Sequence, residues 1–131
     1  MQSDLASALL AACKGELKGL SFSWSDEVAL VVVLASSGYP GKYKKGTLIQ
    51  NLDEAATVAP KVKIFHAGTD LDSHGNMIAS GGRVLGVVAL GKEIAQAQER
   101  AYVAVDTINW PDGFCRRDIG WRAIASLKET K

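Results

Sequence analysis

The sequence predicts an α+β domain built around an antiparallel sheet, on three observations. A continuous β-branched run, "EVALVVVLAS" at residues 27–36, reads as a strand. A second run, "NMIASGGRVLGVVALG" at 76–91, reads as a hairpin-like pair of strands. The elements follow the order helix, several strands, helix, tail, without the βαβαβ alternation of a parallel sheet.

Ser3 is placed to cap a first helix, whose apolar residues Leu5, Ala8, Leu9, Ala12 and Cys13 recur at helical spacing and which Gly15 ends. Asp4 suits the positive end of its dipole. The unbroken apolar character of residues 27–36 predicts a strand buried on both faces. The glycines, proline and serines of "SSGYPGKYKKG" (36–46) form a loop, with Lys42, Lys44 and Lys45 on its solvated side. "KVKIFHAG" (61–68) is a short strand and "DSHGN" (72–76) a turn. From Lys92 to Ile108 the pattern is helical, with Ile94, Ala97, Ala101, Val105 and Ile108 along one face. Pro111 and Gly113 break it, and "DIGWRAIASLK" closes the chain as a short helical or mixed tail.

The chain has 131 residues, enough for one modest core. At 47% hydrophobic and 22% charged it reads as globular. Fifteen basic residues against fourteen acidic leave a net charge of +1, and aromatics make up 7%, which speaks against a nucleic-acid face. The longest apolar stretch, Val28 to Ala35, is far short of the roughly 20 residues that span a bilayer, and no signal-peptide pattern opens the chain. The cytoplasm is the expected location. Cys13 and Cys115 have no disulfide or metal-knuckle spacing and are read as reduced.

Several residues suggest chemistry, each with a plainer alternative. His66, at a strand end, is either a general base or ligand or a structural hydrogen-bonding group; His74, in the turn, is solvated. The two histidines have no cysteine or carboxylate pair at zinc-ligand spacing. Gly81, Gly82 and Arg83 suit an anion, through backbone N–H groups and a bidentate guanidinium, and equally suit a tight turn. "GYPGKYKKG" matches neither a Walker loop nor a dinucleotide fingerprint. Arg116, Arg117 and Arg122 around Asp118 form either an anion pocket or a surface ion-pair network. No nucleophilic triad or acid–base carboxylate pair stands out.

Taken together and in this order, "LASSGYPGKYKKG", "KIFHAGT", "GGRVLGVVALG" and "CRRDIGWRAI" resemble the carboxy-terminal region of the phosphoribosylamine-glycine ligases, the glycinamide ribonucleotide synthetases. "SDLASALLAACKGEL" resembles the last helix of the ATP-grasp portion of those enzymes, so the resemblance covers nearly the whole chain. Ser37 stands where the family usually has a second glycine, Cys115 where it has tyrosine, and Arg117 where it has lysine.

The resemblance implies that residues 1–20 end the ATP-grasp portion and residues 21–131 form the carboxy-terminal domain. It implies a small antiparallel barrel-like module of the barrel-sandwich hybrid type, flanked by helices, as at the C-terminus of ATP-grasp ligases. The implied reaction activates glycine with ATP as an acyl phosphate, which the amine of 5-phosphoribosylamine attacks to give glycinamide ribonucleotide, ADP and phosphate. His66, Gly68 and Thr69 with Gly81, Gly82 and Arg83 would then form adjoining loops facing the substrate cleft, joined by Tyr39, Arg116 and Asp118. Catalysis by such loops is positioning and electrostatics, and neither a catalytic residue nor a metal ligand is expected within the chain. Magnesium and ATP are expected for the complete enzyme and not on this chain alone, since the magnesium and triphosphate residues of the family lie upstream. The expected partners are glycine, phosphoribosylamine and the upstream ATP-grasp portion, with no nucleic acid and no membrane. The chain is expected to be a terminal piece, excised or separately encoded, and inactive alone. The alternative is a non-catalytic binding or assembly module, such as a split subunit, that kept the fold.

Overall fold

A computed structural model describes residues 1–129. In chain order the elements are α1 (Leu5–Lys14), β1 (Val28–Ser36), β2 (Thr47–Leu48), α2 (Leu52–Thr57), β3 (Val62–His66), β4 (Thr69–Leu71), β5 (Met77–Ala79), β6 (Arg83–Gly91), α3 (Ile94–Thr107), β7 (Gly113–Phe114) and α4 (Trp121–Glu129). The strands form two antiparallel sheets, one of four in the order β3-β6-β1-β7 and one of three in the order β2-β5-β4. The α+β class with antiparallel pairing is therefore as the sequence predicts. Both sheets stay open among the described residues, without closure into a barrel.

β1 pairs with β6 from Val28↔Gly91 to Leu34↔Leu85 in unbroken register. Leu30, Val32 and Leu34 on β1 and Leu85, Val87 and Ala89 on β6 point to one side and are buried. Against that side lies α3, whose buried residues Ala97, Ala101, Ala104 and Val105 form the stripe that the spacing predicts, with Ala104 added to it. Small side chains along this stripe let the helix approach the sheet closely. Ile49, Ala55, Ala79, Val84, Ile108 and Trp110 complete the core.

The expectation that β1 is buried on both faces is overturned. Val31 and Val33 are 47% and 44% exposed, so the strand alternates in and out although its outward residues are as apolar as its inward ones. Composition alone hides that alternation. The hairpin is also displaced from its expected place. β5 turns back on β4 across residues 72–76 and not on β6, which pairs with β1 and β3 instead. At the first helix the cap is Asp4, which accepts from the Ser7 amide at 2.8 Å, while Ser3 Oγ accepts from the Ser23 amide at 2.7 Å. That bond ties the lobe formed by residues 1–23 to itself. α1 buries none of its residues, so Cys13 is exposed despite lying on the apolar side. Both cysteines are free, and burial pushes the Cys115 thiol up. α2 and β2 lie in stretches of six and two residues, too short for periodicity to show. Residues 130 and 131, the end of the expected 21–131 domain, lie outside the described residues.

The turn of the β4–β5 hairpin rests on Asp72, whose carboxylate accepts from the amides of His74 and Asn76, both at 2.8 Å, and from the Asn76 side chain at 2.9 Å. The Asn76 side chain, then its amide, hold the carboxyl below its usual range. A carboxyl depressed in the folded state contributes fully above its unfolded pKa, and the contribution is lost as pH falls through the native value. Asp72→Ala is expected to lower the melting temperature at neutral pH, with the gap to wild type closing on acidification. A gap that persists unchanged in acid would assign the effect to shape alone.

The two faces of β1 make a sharper prediction. Val32 is fully buried, so Val32→Asp places an unpaired carboxylate in the core and should cost roughly 4 kcal/mol or more. Val31→Asp, on the open face, should cost about 1 kcal/mol. Chemical denaturation of both variants checks this, and equal losses would mean that the faces are misassigned.

Candidate functional site

At the end of the larger sheet the β1–β6 register shifts. Leu34 faces Leu85 but Ala35 faces Arg83, which leaves Val84 as an extra residue on β6. Strict alternation would point Arg83 to the same side as Leu85, into the core. The bulge breaks the alternation: Val84 and Leu85 are both buried and Arg83 is exposed. Arg83 has no ion-pair partner among the described residues.

The loop after β3 meets the loop before β6 at this bulge. The amides of Ala67 and Gly68 donate to the Val84 carbonyl at 3.0 and 3.2 Å, and those of Ser80 and Gly81 donate to the Gly68 carbonyl at 2.7 and 3.0 Å. A Cβ on Gly68 would stand 2.7 Å from the Arg83 carbonyl oxygen and 2.7 Å from Gly81 Cα. These glycines therefore permit close approach of one loop to the other. Their N–H groups are used inside the chain and are not offered to an anion.

Ser36 closes the arrangement from β1. Its amide donates to the Gly82 carbonyl and its Oγ to the Gly81 carbonyl, both at 2.8 Å. Tyr39 lies over Gly82, where an added Cβ would fall 2.2 Å from the ring. The ring of Tyr43 meets Tyr39 edge-on at 6.1 Å between centroids. His66, exposed at the end of β3, is held through Nδ1 by Thr69 Oγ1 at 3.1 Å, leaving Nε2 available. A hollow of about 530 Å³ is lined here by Val33, Tyr39, Phe65, Gly82, Arg83 and Gly86, among others.

The fold thus brings together seven of the nine candidates, namely Tyr39, His66, Gly68, Thr69, Gly81, Gly82 and Arg83. Arg116 and Asp118 lie past β7, on the opposite edge of the sheet from β3. They bind each other through two hydrogen bonds, at 2.9 and 2.6 Å, which hold the Asp118 carboxyl below its usual range. The Arg116 carbonyl accepts from Tyr102 Oη at 2.8 Å, and Arg117 lies over the Tyr102 ring and pairs with Asp106. This part of the basic cluster forms an exposed ion-pair network that ties the tail to α3. His74 is exposed in its turn. Sequence reasoning missed Ser36, Phe65, Val33 and Gly86. The signal that would have found three of them is the alternation of strands with one open face.

The hollow offers one unpaired guanidinium and aromatic walls, while His66, fixed by the Thr69 hydroxyl, stands on the adjoining loop outside its lining. That set suits an anion with a less polar body. It contains no nucleophile with its base, and no group of three or more metal-ligating side chains exists among the described residues.

A family model described as "Phosphoribosylglycinamide synthetase, C domain" matches residues 29–122. The chain is 65% identical over 124 residues to the chloroplastic phosphoribosylamine–glycine ligase of Arabidopsis thaliana, a match covering 95% of this chain and 23% of that protein. It is 60% identical over 114 residues to the ligase of that name from Vigna unguiculata, covering 87% and 37% respectively. The crystal structure of the phosphoribosylamine–glycine ligase from Thermotoga maritima superposes with a TM-score of 0.59 at 31% identity, over 69% of this chain and 21% of that one. The chain thus spans between about a fifth and two fifths of the length of these relatives.

The glycine crossing generates a test. Gly68→Ala is expected to destabilise by roughly 1–3 kcal/mol, because the clash is with backbone that cannot swing aside. Gly86→Ala, whose Cβ would meet Val31 Cγ2 at 3.7 Å and Phe65 Cβ at 4.0 Å, should be tolerated. Thermal unfolding of the two variants compares them directly, and a Gly68→Ala protein as stable as wild type would refute the crossing.

Proposed function

Because the chain belongs to the phosphoribosylglycinamide synthetase C-domain family, we propose that it forms the carboxy-terminal wall of a ligase. That ligase joins glycine to 5-phosphoribosylamine at the expense of ATP, and this chain is inactive alone. The observation that carries the reading is the bulge at Val84, which turns a lone guanidinium out into the hollow walled by Tyr39 and Phe65. An exposed, unpaired arginine next to aromatic side chains suits the phosphate or carboxylate of such substrates.

In this role Arg83 binds an anionic group and His66 offers Nε2 as a hydrogen-bonding group. Tyr39, Gly82 and Thr69 shape and hold their surroundings, and Gly68 and Gly81 permit the loop crossing. Arg116 enters only when its pairing with Asp118 opens to an anion. Magnesium and ATP belong to the preceding ATP-grasp portion of the enzyme, which also completes the cleft. We assign residues 1–20 to the end of that portion, since α1 is tied only to its own lobe and buries nothing. Residues 21–131 then form the domain that closes the ligase, with its two open sheets as the barrel-sandwich-type module expected of ATP-grasp enzymes. No described helix is long and apolar enough to cross a membrane. The reading places the enzyme in the cytoplasm or, as the name of the Arabidopsis relative suggests, in a plastid.

Titration of the purified chain with magnesium–ATP, followed by an assay with glycine and phosphoribosylamine, tests this. No micromolar binding and no turnover above background are expected; either one would overturn the reading. Fused behind the remaining part of the Arabidopsis relative, the chain should support product formation. Arg83→Ala should then lower kcat/KM about 10–100-fold, the loss of one charge-assisted hydrogen bond, with little change in melting temperature. An early-melting variant that kept its specific activity would make Arg83 structural.

A further inference from the structure

The face of the larger sheet turned away from α3 carries no covering element among the described residues. Alternation sets Val31, Val88 and Lys63 side by side across β1, β6 and β3, and next to them Val33, Gly86 and Phe65. Val31, Val33 and Phe65 are 47%, 44% and 53% exposed. Three exposed β-branched or aromatic residues on the two strands that flank β6 form a patch rather than scattered surface apolar groups. Gly86 leaves a depression in the middle of it, walled by Val31 and Phe65.

Charge narrows the occupant. These six positions include one cation, Lys63, and no carboxylate, and Lys63 has no ion-pair partner among the described residues. The patch runs directly into the hollow that holds Arg83, because Val33, Phe65 and Gly86 line both. Two copies of this chain laid face to face would offer each Lys63 no carboxylate from these six positions. Whatever covers the patch must also reach the rim of the candidate site, and 77% of the Arabidopsis relative lies outside the match, since the match covers 23% of it.

We propose that this open face is the docking surface for the preceding portion of the ligase. The complementary surface presents apolar side chains, one entering the depression at Gly86, with a carboxylate opposite Lys63. The proposal rests on the functional reading above and adds to it the face that joins the two parts. Docking there roofs the Arg83 hollow and turns a half-open site into a cleft.

Cysteine footprinting tests it in a fusion of the remaining part of the Arabidopsis relative to this chain, with Cys13→Ser and Cys115→Ser as background. Val31→Cys should react with a maleimide at least tenfold more slowly in the fusion than in the chain alone. Val103→Cys, on the exposed side of α3, should react within twofold in both. Adding Lys63→Glu should restore part of the Val31→Cys reactivity in the fusion. A fusion that makes product while Val31→Cys stays fully reactive overturns the docking face and leaves the functional reading standing; protection without product does the reverse. Loss of both overturns both. Protection that appears in the isolated chain as its concentration is raised would assign the face to a second copy and overturn the proposal.

Discussion

The β1–β6 ladder is the constraint from which the rest of the molecule follows. Its register from Val28↔Gly91 to Leu34↔Leu85 decides which side chains meet α3 and which do not. A slip of one residue would send Val31 and Val33 into the core and Val32 out. The outward residues are themselves apolar, so hydrophobic burial alone distinguishes the two registers poorly. What separates them lies at the ends. Gly91 passes so close to α3 that a Cβ there would sit 2.7 Å from the Ala97 amide nitrogen, and Ser36 bonds Gly81 and Gly82 at the other end. The ladder is held at one end by a close approach that leaves no room for a Cβ on Gly91 and at the other by the hydrogen bonds of Ser36.

The bulge at Val84 is where this order turns into a site. One extra residue lets two adjacent apolar side chains enter the interior and reverses the direction of Arg83. The loop containing Gly68 then lies against the bulged strand, and its carbonyl takes two amides from the Ser80–Gly81 turn. Guanidinium and imidazole are thus carried by backbone that is hydrogen-bonded on both sides. A ligand met by such groups pays little for ordering the loops around it. The second sheet contributes through Thr69, the first residue of β4, which ends the His66 loop and holds its ring.

Much of this was legible in the chain itself. Periodicity located α3 and its alanine stripe, β-branched runs located β1 and β6, and the words shared with the ligases drew attention to the loops that meet at the Val84 bulge. The failures have physical causes. "VALVVV" offers no polar residue on its outer face, so a one-sided strand looks two-sided until something is known to be missing from that side. "NMIAS" and "GGRVLG" are adjacent in sequence, yet the Gly68 loop bonds the turn between them and steers β5 towards β4. The expected backbone cradle at Gly81 depended on glycine being small enough to admit an anion. The same smallness admits Gly68 instead. Arg116 and Asp118 are neighbours in sequence whose charges satisfy each other, which residue type alone does not reveal.

The two apolar features that a self-sufficient domain would bury are the outer face of the sheet and the leucines of α1, and the proposed division at residue 20 puts them in different parts of the ligase. Leu5, Leu9 and Leu10 are each more than half exposed on a helix held only by its own lobe. The sheet face, by contrast, is rigid and continuous with the core. On the proposed reading it is the sheet, and not α1, that sets how the parts of the ligase meet. The site at the edge of that sheet acquires its second wall in the same event, so joining the parts and enclosing the substrate are one process on the proposed reading. If, as proposed, the nucleotide is held by the preceding portion, water is kept from a reactive intermediate only while that portion and this wall are in contact.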